Sequence, residues 1–254
     1  MISVIVCSKQ PPAWDFHQRN VQKTVGCEHE YIRIDNSSGQ RGICAAYNDG
    51  VARAQGDIAV FVHEDAFFME PGWGAVLGNK FAADASIGLI GVAGTQYLFA
   101  DDLRWHIAGR PFIRGRVVHE GKNGDLFVMT VMSWDKADAE VVAADGLFLA
   151  VRRGLFSRVR FDDQTFPGFH FYDLDICMQI RETHRCIVTW DILIKHYSAG
   201  KNDEGWHAAA LAFQEKYQGR LPVSVGSGVP GPLERREGAT NYELKGAVSQ
   251  GTIY

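Results

Sequence analysis

Short apolar runs alternate with segments of helical periodicity in the first part of this chain of 254 residues, and this alternation constrains the fold more than any other feature. The runs are rich in β-branched residues, as strands buried on both faces require. Gly56 closes one helical segment and Pro71 opens another, which are the usual places for these residues. The predicted strands are 2–6, 31–34, 58–62 and 87–92, and the predicted helices are 43–54 and 73–82.

Strands and helices that alternate in this way form right-handed crossovers and a parallel sheet. We therefore predict a three-layer α/β/α sandwich with a mostly parallel sheet, interrupted after the first strand by a break at Pro11 and Pro12. Beyond residue 94 the pattern is less regular. The elements predicted there are a hairpin of 116–119 and 126–131 around Lys122, Asn123 and Gly124, strands at 147–151, 186–190 and 192–195, and a helix at 171–181.

Composition and motifs exclude several classes of protein. With 26 Lys and Arg against 30 Asp and Glu, the chain lacks the basic footprint of a nucleic-acid-binding protein. Five cysteines without a CxxC pair favour reduced thiols and a cytoplasmic protein. We expect no transmembrane segment and no signal peptide, because the chain lacks a sufficiently long apolar run and a basic, apolar leader. The turn at 7–12 lacks the GxGxxG fingerprint of a dinucleotide-binding enzyme.

Polar residues follow each of the first three predicted strands. They are Ser8, Asp35 and the triplet His63, Glu64 and Asp65. Ligands of an open α/β sheet bind beyond such strand ends. If the triplet stays extended, strand alternation turns His63 and Asp65 to one side and Glu64 to the other. The triplet could simply end a strand in solvent. However, unpaired polar groups between two apolar runs are costly to bury, which favours a bound ion or ligand.

These strand ends, together with two later segments, resemble the GT-A glycosyltransferases, in particular the family 2-like branch. The resemblance covers residues 2–200 and depends on the order and spacing of five segments: 2–6, 35–37, 42–56, Asp65, and 171–177 with Asp173. It implies the GT-A (nucleotide-diphospho-sugar transferase) fold in residues 1–221. Within this domain it implies a nucleotide-sugar-binding half at 1–94 and an acceptor-binding half at 95–221, followed by a tail at 222–254.

The resemblance also implies a divalent cation. In that family an Asp-x-Asp motif binds manganese or magnesium on the diphosphate of the donor, and here only Asp65 matches, because His63 replaces the first Asp. His196 matches a histidine that completes the site in many relatives, although a surface position is the alternative. The expected metal ligands are therefore Asp65, His63 and His196, with Mn²⁺ or Mg²⁺ as the cofactor. Imidazole nitrogen favours manganese.

A second family motif, Glu-Asp at the start of a late helix, supplies the catalytic base. In this chain Tyr172 replaces the Glu and Asp173 is kept. The resemblance implies that Asp173 accepts the proton of the acceptor hydroxyl, and a single base used once implies inversion at the anomeric carbon. Capping of the helix is the alternative for Asp173, and it is the favoured interpretation for Asp175.

Donor-binding positions of the family match Ser8, Asp35, Asn48, Glu64 and Asp65, and a UDP-sugar is the expected donor. Asp35 would contact the base or ribose, and Asn48 would position the diphosphate. A turn-forming role for Asp35 and a place on a polar helix face for Asn48 are equally open.

The implied function is a glycosyltransferase of the hexosyltransferase type that acts on a hydroxyl-bearing glycan or lipid-linked acceptor in cell-surface polysaccharide assembly. Tyr97, Trp105 and Trp134 could stack on sugar rings or belong to the core. Two other functions remain open. One is a catalytically inactive nucleotide-sugar or glycan-binding module on the same fold, and the other is a nucleotidyltransferase, although 7–12 lacks the Gly-rich loop of that class.

Overall fold

The structure is a computed structural model and describes residues 1–9, 11–120, 127–197, 203–225 and 240–244. The predicted turn at Lys122, Asn123 and Gly124 lies outside the described residues, as does most of the predicted tail at 222–254. The described strands are β1 (Ile2–Ser8), β2 (His29–Asp35), β3 (Ile58–Val62), β4 (Ala66–Phe68), β5 (Ile87–Gly91), β6 (Ala93–Thr95), β7 (Tyr97–Leu98), β8 (Ile113–Glu120), β9 (Phe127–Val131), β10 (Ala139–Val141), β11 (Ala143–Ala144), β12 (Phe148–Arg152), β13 (Arg185–Val188), β14 (Ile194–His196), β15 (Val223–Ser224) and β16 (Thr240–Leu244). The described α-helices are α1 (Pro11–Thr24), α2 (Ile43–Arg53), α3 (Trp73–Ala83), α4 (Tyr172–Ile180) and α5 (Glu204–Lys216).

A central sheet organises the fold. In the described part of the chain it has seven strands, in the order β10, β13, β5, β12, β3, β1, β2. Strands β2, β1, β3, β5 and β13 run in one direction, whereas β12 and β10 run in the opposite direction. The predicted mostly parallel sheet is therefore confirmed. The insertion of an antiparallel strand between β3 and β5 was not predicted, because an apolar run indicates a strand but not its direction.

Helices cover both faces of this sheet. Ile5 of β1 belongs to an apolar cluster that includes residues of α2, α4 and α5, while its neighbours Val4 and Val6 belong to a second cluster with residues of α1 and α3. The alternation of side chains along a strand divides the core into these two halves. Full burial of one such side chain contributes about 1.5–3 kcal/mol. The predicted three-layer α/β/α architecture is confirmed.

A second sheet lies beside the end of β3 and is built in the order β11, β6, β8, β14, β4, with β9 joining β8 and β16 joining β9. Strand β4 begins at Ala66, directly after Asp65, and pairs antiparallel with β14 so that His196 lies opposite Ala66. The predicted hairpin segments fall in the antiparallel pair β8 and β9. The chain thus crosses from the central to the second sheet at residues 63–65.

Three of the described helices differ from the prediction. Helix α1 begins at Pro11, where we expected a break; proline fits there because the first N–H groups of a helix have no intrahelical partner. Pro71 precedes the helix rather than opening it, since α3 starts at Trp73 after Gly72, which has a φ of 89°. Helix α5 was not predicted. None of the described helices has both the length and the apolar composition needed to span a lipid bilayer.

Helix α5 is joined to α4 by a buried ionic contact. Asp175 of α4 has a side chain only 1% exposed, and its carboxylate lies 2.6 Å from Nζ of Lys216. The Tyr217 hydroxyl donates to the same carboxylate at 2.7 Å. Lys216 also pairs with Asp162 at 2.7 Å. Asp175 therefore has a structural role, through contact between helices rather than through capping.

Candidate active site

The ends of β1 and β3 and the beginnings of β12 and α4 meet at one edge of the central sheet. Because β12 is antiparallel to β3, its first residues lie beside the end of β3, where the His63 N–H donates to the Leu147 carbonyl at 3.1 Å. The Gly146 N–H donates to Oδ2 of Asp173, in the first turn of α4, at 2.9 Å. The residues that follow β3 therefore face the start of α4 across the start of β12.

The three predicted metal ligands are brought together at this edge. His63, Asp65 and His196 each offer one ligand atom, and these atoms all lie within 4.8 Å of one another. Nδ1 of His63 is 3.3 Å from Nε2 of His196, which is 3.4 Å from Oδ1 of Asp65. The pairing of β14 with β4 accounts for this proximity, since it places His196 opposite the residue that follows Asp65.

The chemistry of this group suits a divalent transition-metal ion. Burial and the neighbouring His196 ring lower the pKa of His63, so its imidazole is held in the neutral form that offers a lone pair. Ligand atoms 3.3 and 3.4 Å apart can surround one ion at bond lengths of about 2.0–2.2 Å. Two imidazole nitrogens and one carboxylate oxygen favour an ion such as manganese over magnesium. The residues therefore fit the cation that the sequence led us to expect.

Asp173 lies at the start of α4 beside a second carboxylate, Asp145. Its Oδ2 accepts from Gly146 and its Oδ1 accepts from the Leu174 N–H at 3.0 Å. Burial, and then the charge of Asp145, raise the pKa of Asp173 to about 7. These causes outweigh the backbone hydrogen bonds to the carboxylate, which lower its pKa. Asp173 can thus take up a proton near neutral pH, as a general base must.

Asp145 is itself held in place at the start of β12. Its Oδ2 accepts from the indole N–H of Trp105 at 3.1 Å, and its Oδ1 accepts from the Leu147 N–H at 2.9 Å. Trp105 therefore contacts a carboxylate of the site, as well as packing partly against the core.

Tyr172 joins the two acidic segments of the site. Its hydroxyl lies 2.6 Å from Nε2 of His63, and its side chain is buried. The preceding residue, Phe171, is the only residue other than glycine with a positive φ in the described chain, at 65°. This left-handed conformation, which costs about 1–2 kcal/mol, directs the chain into α4 at the site.

Glu64 contacts the end of β1, and residues 63–65 form a turn, in which the Ala66 N–H donates to the His63 carbonyl at 3.2 Å, rather than the extended segment on which the predicted alternation depended. Glu64 accepts a hydrogen bond from the buried Ser8 hydroxyl at 2.6 Å and from the Lys9 N–H at 3.1 Å. Ser8 and Glu64, which were both predicted to bind the donor, thus contact each other and join the end of β1 to the end of β3.

Two adjoining pockets open on either side of His63 and share Phe169. The first, which we call the β1-side pocket, has a volume of about 430 Å³ and is lined by residues that include Lys9, Tyr47 and Asp65. Nζ of Lys9 lies 3.9 Å from the centre of the Phe169 ring, a cation–π contact at its wall.

Tyr47 brings a buried hydroxyl to the lining of the β1-side pocket. Its side chain is fully buried, and its hydroxyl has no hydrogen-bond partner among the described residues. A buried hydroxyl without a partner costs roughly 1–3 kcal/mol, and a ligand oxygen in the pocket would remove that cost.

The second pocket, which we call the α4-side pocket, has a volume of about 350 Å³. Two carboxylates, Asp145 and Asp173, line it together with the indole rings of Trp105 and Trp206. Aromatic rings beside carboxylates suit a carbohydrate, because its C–H faces pack on aromatic rings while its hydroxyls donate hydrogen bonds.

Two predicted donor-binding residues lie apart from these pockets. Asp35 is exposed at the end of β2, and the Ser37 N–H donates to it at 2.9 Å, which lowers its pKa. The side-chain amide of Asn48 donates to the Phe161 carbonyl at 2.8 Å and accepts from the Phe161 N–H at 3.2 Å. In the described structure Asn48 therefore joins α2 to a loop. Contact of either residue with the donor stays a prediction.

The predicted acceptor-side aromatics have different environments. Trp105 lines the α4-side pocket, whereas Tyr97 is buried in the core and Trp134 is 71% exposed. Sequence reasoning did not identify Asp145, Tyr47 or the contact of Tyr172 with His63. An Asp-Gly pair before an apolar run was the available signal for Asp145, but its use required knowing that β12 is antiparallel.

Comparison with known sequences points to one family. A sequence profile described as "Glycosyltransferase like family" matches residues 3–220. A curated protein described as "ATP synthase subunits region ORF 6", from Fuscovulum blasticum, is 23% identical over 202 residues, which is 77% of this chain and 74% of that protein.

Solved structures share the fold at low identity. GalNAc-T7, crystallised with UDP, GalNAc and Mn²⁺, matches with a TM-score of 0.54 and 12% identity over 81% of this chain and 45% of its own. The mannosyltransferase PcManGT from Pyrobaculum calidifontis, in complex with GDP-Man and Mn²⁺, matches with a TM-score of 0.51 and 14% identity over 86% and 70% of the two chains. This chain thus spans less than half of GalNAc-T7. The likeness shows the fold, which is that of the GT-A enzymes.

Proposed function

The chain belongs to the glycosyltransferase-like family, and from this premise we propose that it is a metal-dependent, inverting enzyme that moves a sugar from a nucleoside diphosphate to a hydroxyl acceptor. One observation carries the proposal. His63 and Asp65, which form the metal-ligand group with His196, line the β1-side pocket, and Asp173 lines the α4-side pocket, which adjoins it at His63. A cation site for the donor and a base for the acceptor are thereby available on neighbouring sides of one reaction centre.

His63, Asp65 and His196 would hold the cation, and their donor set supports Mn²⁺ over Mg²⁺. When bound, such an ion supplies positive charge that offsets the charge of the departing diphosphate. Both solved structures described above contain Mn²⁺.

Asp173 would take the proton of the acceptor hydroxyl as the oxygen attacks the anomeric carbon. The Gly146 N–H fixes one carboxylate oxygen of Asp173, and a pKa of about 7 lets the group accept a proton near neutrality. A single base that acts once corresponds to direct displacement with inversion, which we propose for this chain.

The β1-side pocket is proposed to bind the nucleotide sugar, with a UDP-sugar as the first candidate. The pocket offers an aromatic wall for stacking at Phe169 and positive charge at the Lys9 ammonium. It also offers a hydrogen-bond donor in the Tyr47 hydroxyl, which has no partner among the residues that the structure describes. In this arrangement Ser8 acts through Glu64, and the half at 1–94 supplies most of the donor contacts.

The α4-side pocket is proposed to bind a glycan or lipid-linked acceptor, consistent with a role in cell-surface polysaccharide assembly. Trp105 and Trp206 belong to the half at 95–221, which we propose as the acceptor-binding half. Their rings can pack on the sugar that presents its hydroxyl to Asp173. The cytoplasmic location expected from the sequence also stays a prediction.

The test begins with the thermal stability of the full chain in the presence of UDP-, GDP-, CDP- and dTDP-sugars, each with and without Mn²⁺. A metal-dependent rise in Tm with one nucleotide identifies the donor, and that donor is then used in a transfer assay with Asp173→Asn. We expect transfer to stop while donor binding is kept. Asp49→Asn, a change at a surface ion pair, is the matched control. No stabilisation by any nucleotide sugar, or full transfer by Asp173→Asn, would overturn the proposal.

A further inference from the structure

The two residues that depart from the resembled motifs contact each other. His63 replaces an Asp and Tyr172 replaces a Glu, and although they lie 109 positions apart, Nε2 of His63 is 2.6 Å from the Tyr172 hydroxyl. This contact engages one ring nitrogen of His63 and leaves the other, Nδ1, to the metal-ligand group.

Nδ1 is the atom of His63 that faces this group. It lies 3.3 Å from Nε2 of His196, which in turn is 3.4 Å from Oδ1 of Asp65. A neutral imidazole carries its proton on one nitrogen and a lone pair on the other. Binding of a cation therefore requires the lone pair on Nδ1 and the proton on Nε2, where the Tyr172 oxygen can accept it.

We infer that Tyr172 is a positioning residue whose hydroxyl oxygen accepts the Nε2–H of His63 and so directs the Nδ1 lone pair toward a cation held by His63, Asp65 and His196. Partners of this kind fix the tautomer and the ring orientation of metal-binding histidines. The inference rests on the metal-dependent function proposed above and adds to it a role for a residue that takes no part in the chemistry.

The surroundings of Tyr172 leave its hydroxyl little freedom to turn away from His63. The side chain is 4% exposed, and its ring packs edge-on against Tyr47 at a centroid distance of 5.7 Å. A Cβ at position 146 would overlap the Tyr172 hydroxyl, so Gly146 leaves the space that this group occupies. The start of β12 therefore accommodates the hydroxyl beside His63 as well as binding Asp173.

The test is the affinity of the full chain for Mn²⁺ alone, measured from the EPR signal of free Mn²⁺. Tyr172→Phe removes one oxygen and keeps the ring, and we expect an affinity about 10- to 100-fold weaker than that of the wild type. Tyr31→Phe is the matched control, since it removes a hydroxyl that contacts Nδ1 of His17 at 2.8 Å and lies outside the metal-ligand group. Its Mn²⁺ affinity should equal that of the wild type.

The outcomes separate this inference from the proposed function. Equal Mn²⁺ affinities of the wild type and Tyr172→Phe would overturn the inference but not the proposed metal-dependent function. A wild type that binds no Mn²⁺ would overturn both. A weaker affinity in Tyr172→Phe supports the inference whichever sugar is transferred.

A second measurement needs no variant at this position, in case Tyr172→Phe does not fold. Imidazole ¹⁵N NMR of the wild type with Zn²⁺, a diamagnetic ion, reports which nitrogen of His63 carries the proton. We expect a protonated Nε2 and a metal-bound Nδ1, with His63→Gln identifying the resonance. A metal-bound Nε2 would contradict the inference.

Discussion

The backbone N–H of Gly146 donates a hydrogen bond of 2.9 Å to Oδ2 of Asp173, which fixes the expected base against the start of β12. Asp145 immediately precedes this glycine, so the same turn that holds the base also places a negative charge beside it. Burial and this charge together raise the pKa of Asp173 to about 7. The turn therefore influences both the position and the protonation of the base.

The pH dependence of transfer should reflect Asp173. Because the base must be ionised, we expect kcat/KM to rise with pH through about 7 and to level off above it. Asp145→Asn removes one negative charge and should move this rise to lower pH, although the contribution of burial stays. Initial rates across the pH range, with Asp49→Asn as a surface control, measure the shift. Superimposable profiles for Asp145→Asn and wild type would show that Asp145 does not set this pKa.

Asp173→Asn should change how stability depends on pH. The pKa of Asp173 is raised from 3.8 to about 7 in the folded protein, so the folded state binds more protons than the unfolded state between these values. The wild type consequently loses stability as pH rises from about 4 to about 7, whereas Asn does not titrate. Urea unfolding at several pH values should show that the free energy of unfolding of the variant, relative to that of the wild type, increases as pH rises. If the stability difference between the variant and the wild type does not change with pH, Asp173 has an ordinary pKa.

Removal of a metal ligand should weaken cation binding selectively. His196→Ala deletes one of the three ligand atoms, and we expect Mn²⁺ affinity to fall by at least about tenfold. His119→Ala is the matched control, since its ring lies 6.1 Å from that of His196 but outside the group of three. Calorimetric titration of both variants with Mn²⁺ measures the effect. Equal losses in the two variants would point to a general disturbance of β8 and β14 instead.

Gly146→Ala should disturb both halves of the site at once. The added Cβ would overlap the Tyr172 side chain, and such overpacking costs about 1–3 kcal/mol. We expect weaker Mn²⁺ binding and slower transfer, because Tyr172 contacts His63 and the Gly146 N–H binds Asp173. Gly154→Ala is the control, since nothing lies within 4 Å of the Cβ it would gain. Wild-type Mn²⁺ affinity and transfer in Gly146→Ala would mean that the turn accommodates a side chain without moving Tyr172.

Lys216→Met should destabilise the fold regardless of function. It leaves the Asp175 carboxylate, 1% exposed, without its cation 2.6 Å away, and breaking such a buried pair costs about 3 kcal/mol or more. Lys80→Met is the comparison, because the partners of Lys80, Asp138 and Asp191, have side chains 33% and 53% exposed, and its loss should cost about 1 kcal/mol or less. Chemical denaturation gives both values. Similar losses for the two variants would contradict the buried character of the α4–α5 contact.

Much of the architecture could be predicted from local patterns. The run at 58–62 coincides with β3, and the helix predicted at 43–54 ends within one residue of α2. These elements have strong periodicity, and their residues meet partners close by in the chain. Helix α1 was missed because Pro11 and Pro12 were interpreted as a break. Helix α5 was missed although Trp206, Ala209, Ala210 and Phe213, which pack on the core, recur at helical spacing, because two of these four residues are alanines and make the stripe only weakly apolar.

By itself, the sequence determined the alternation of strands and helices and the residue types that end the parallel strands, because side-chain periodicity and the directions of crossovers are local properties. It did not predict the turn at 63–65, in which the Ala66 N–H donates to the His63 carbonyl at 3.2 Å. Only the tertiary structure decided the direction of β12, which brings Asp145 to the site, and the contact of His63 with Tyr172 across 109 positions. Such contacts depend on how distant segments pack together, and the composition of neither segment specifies them.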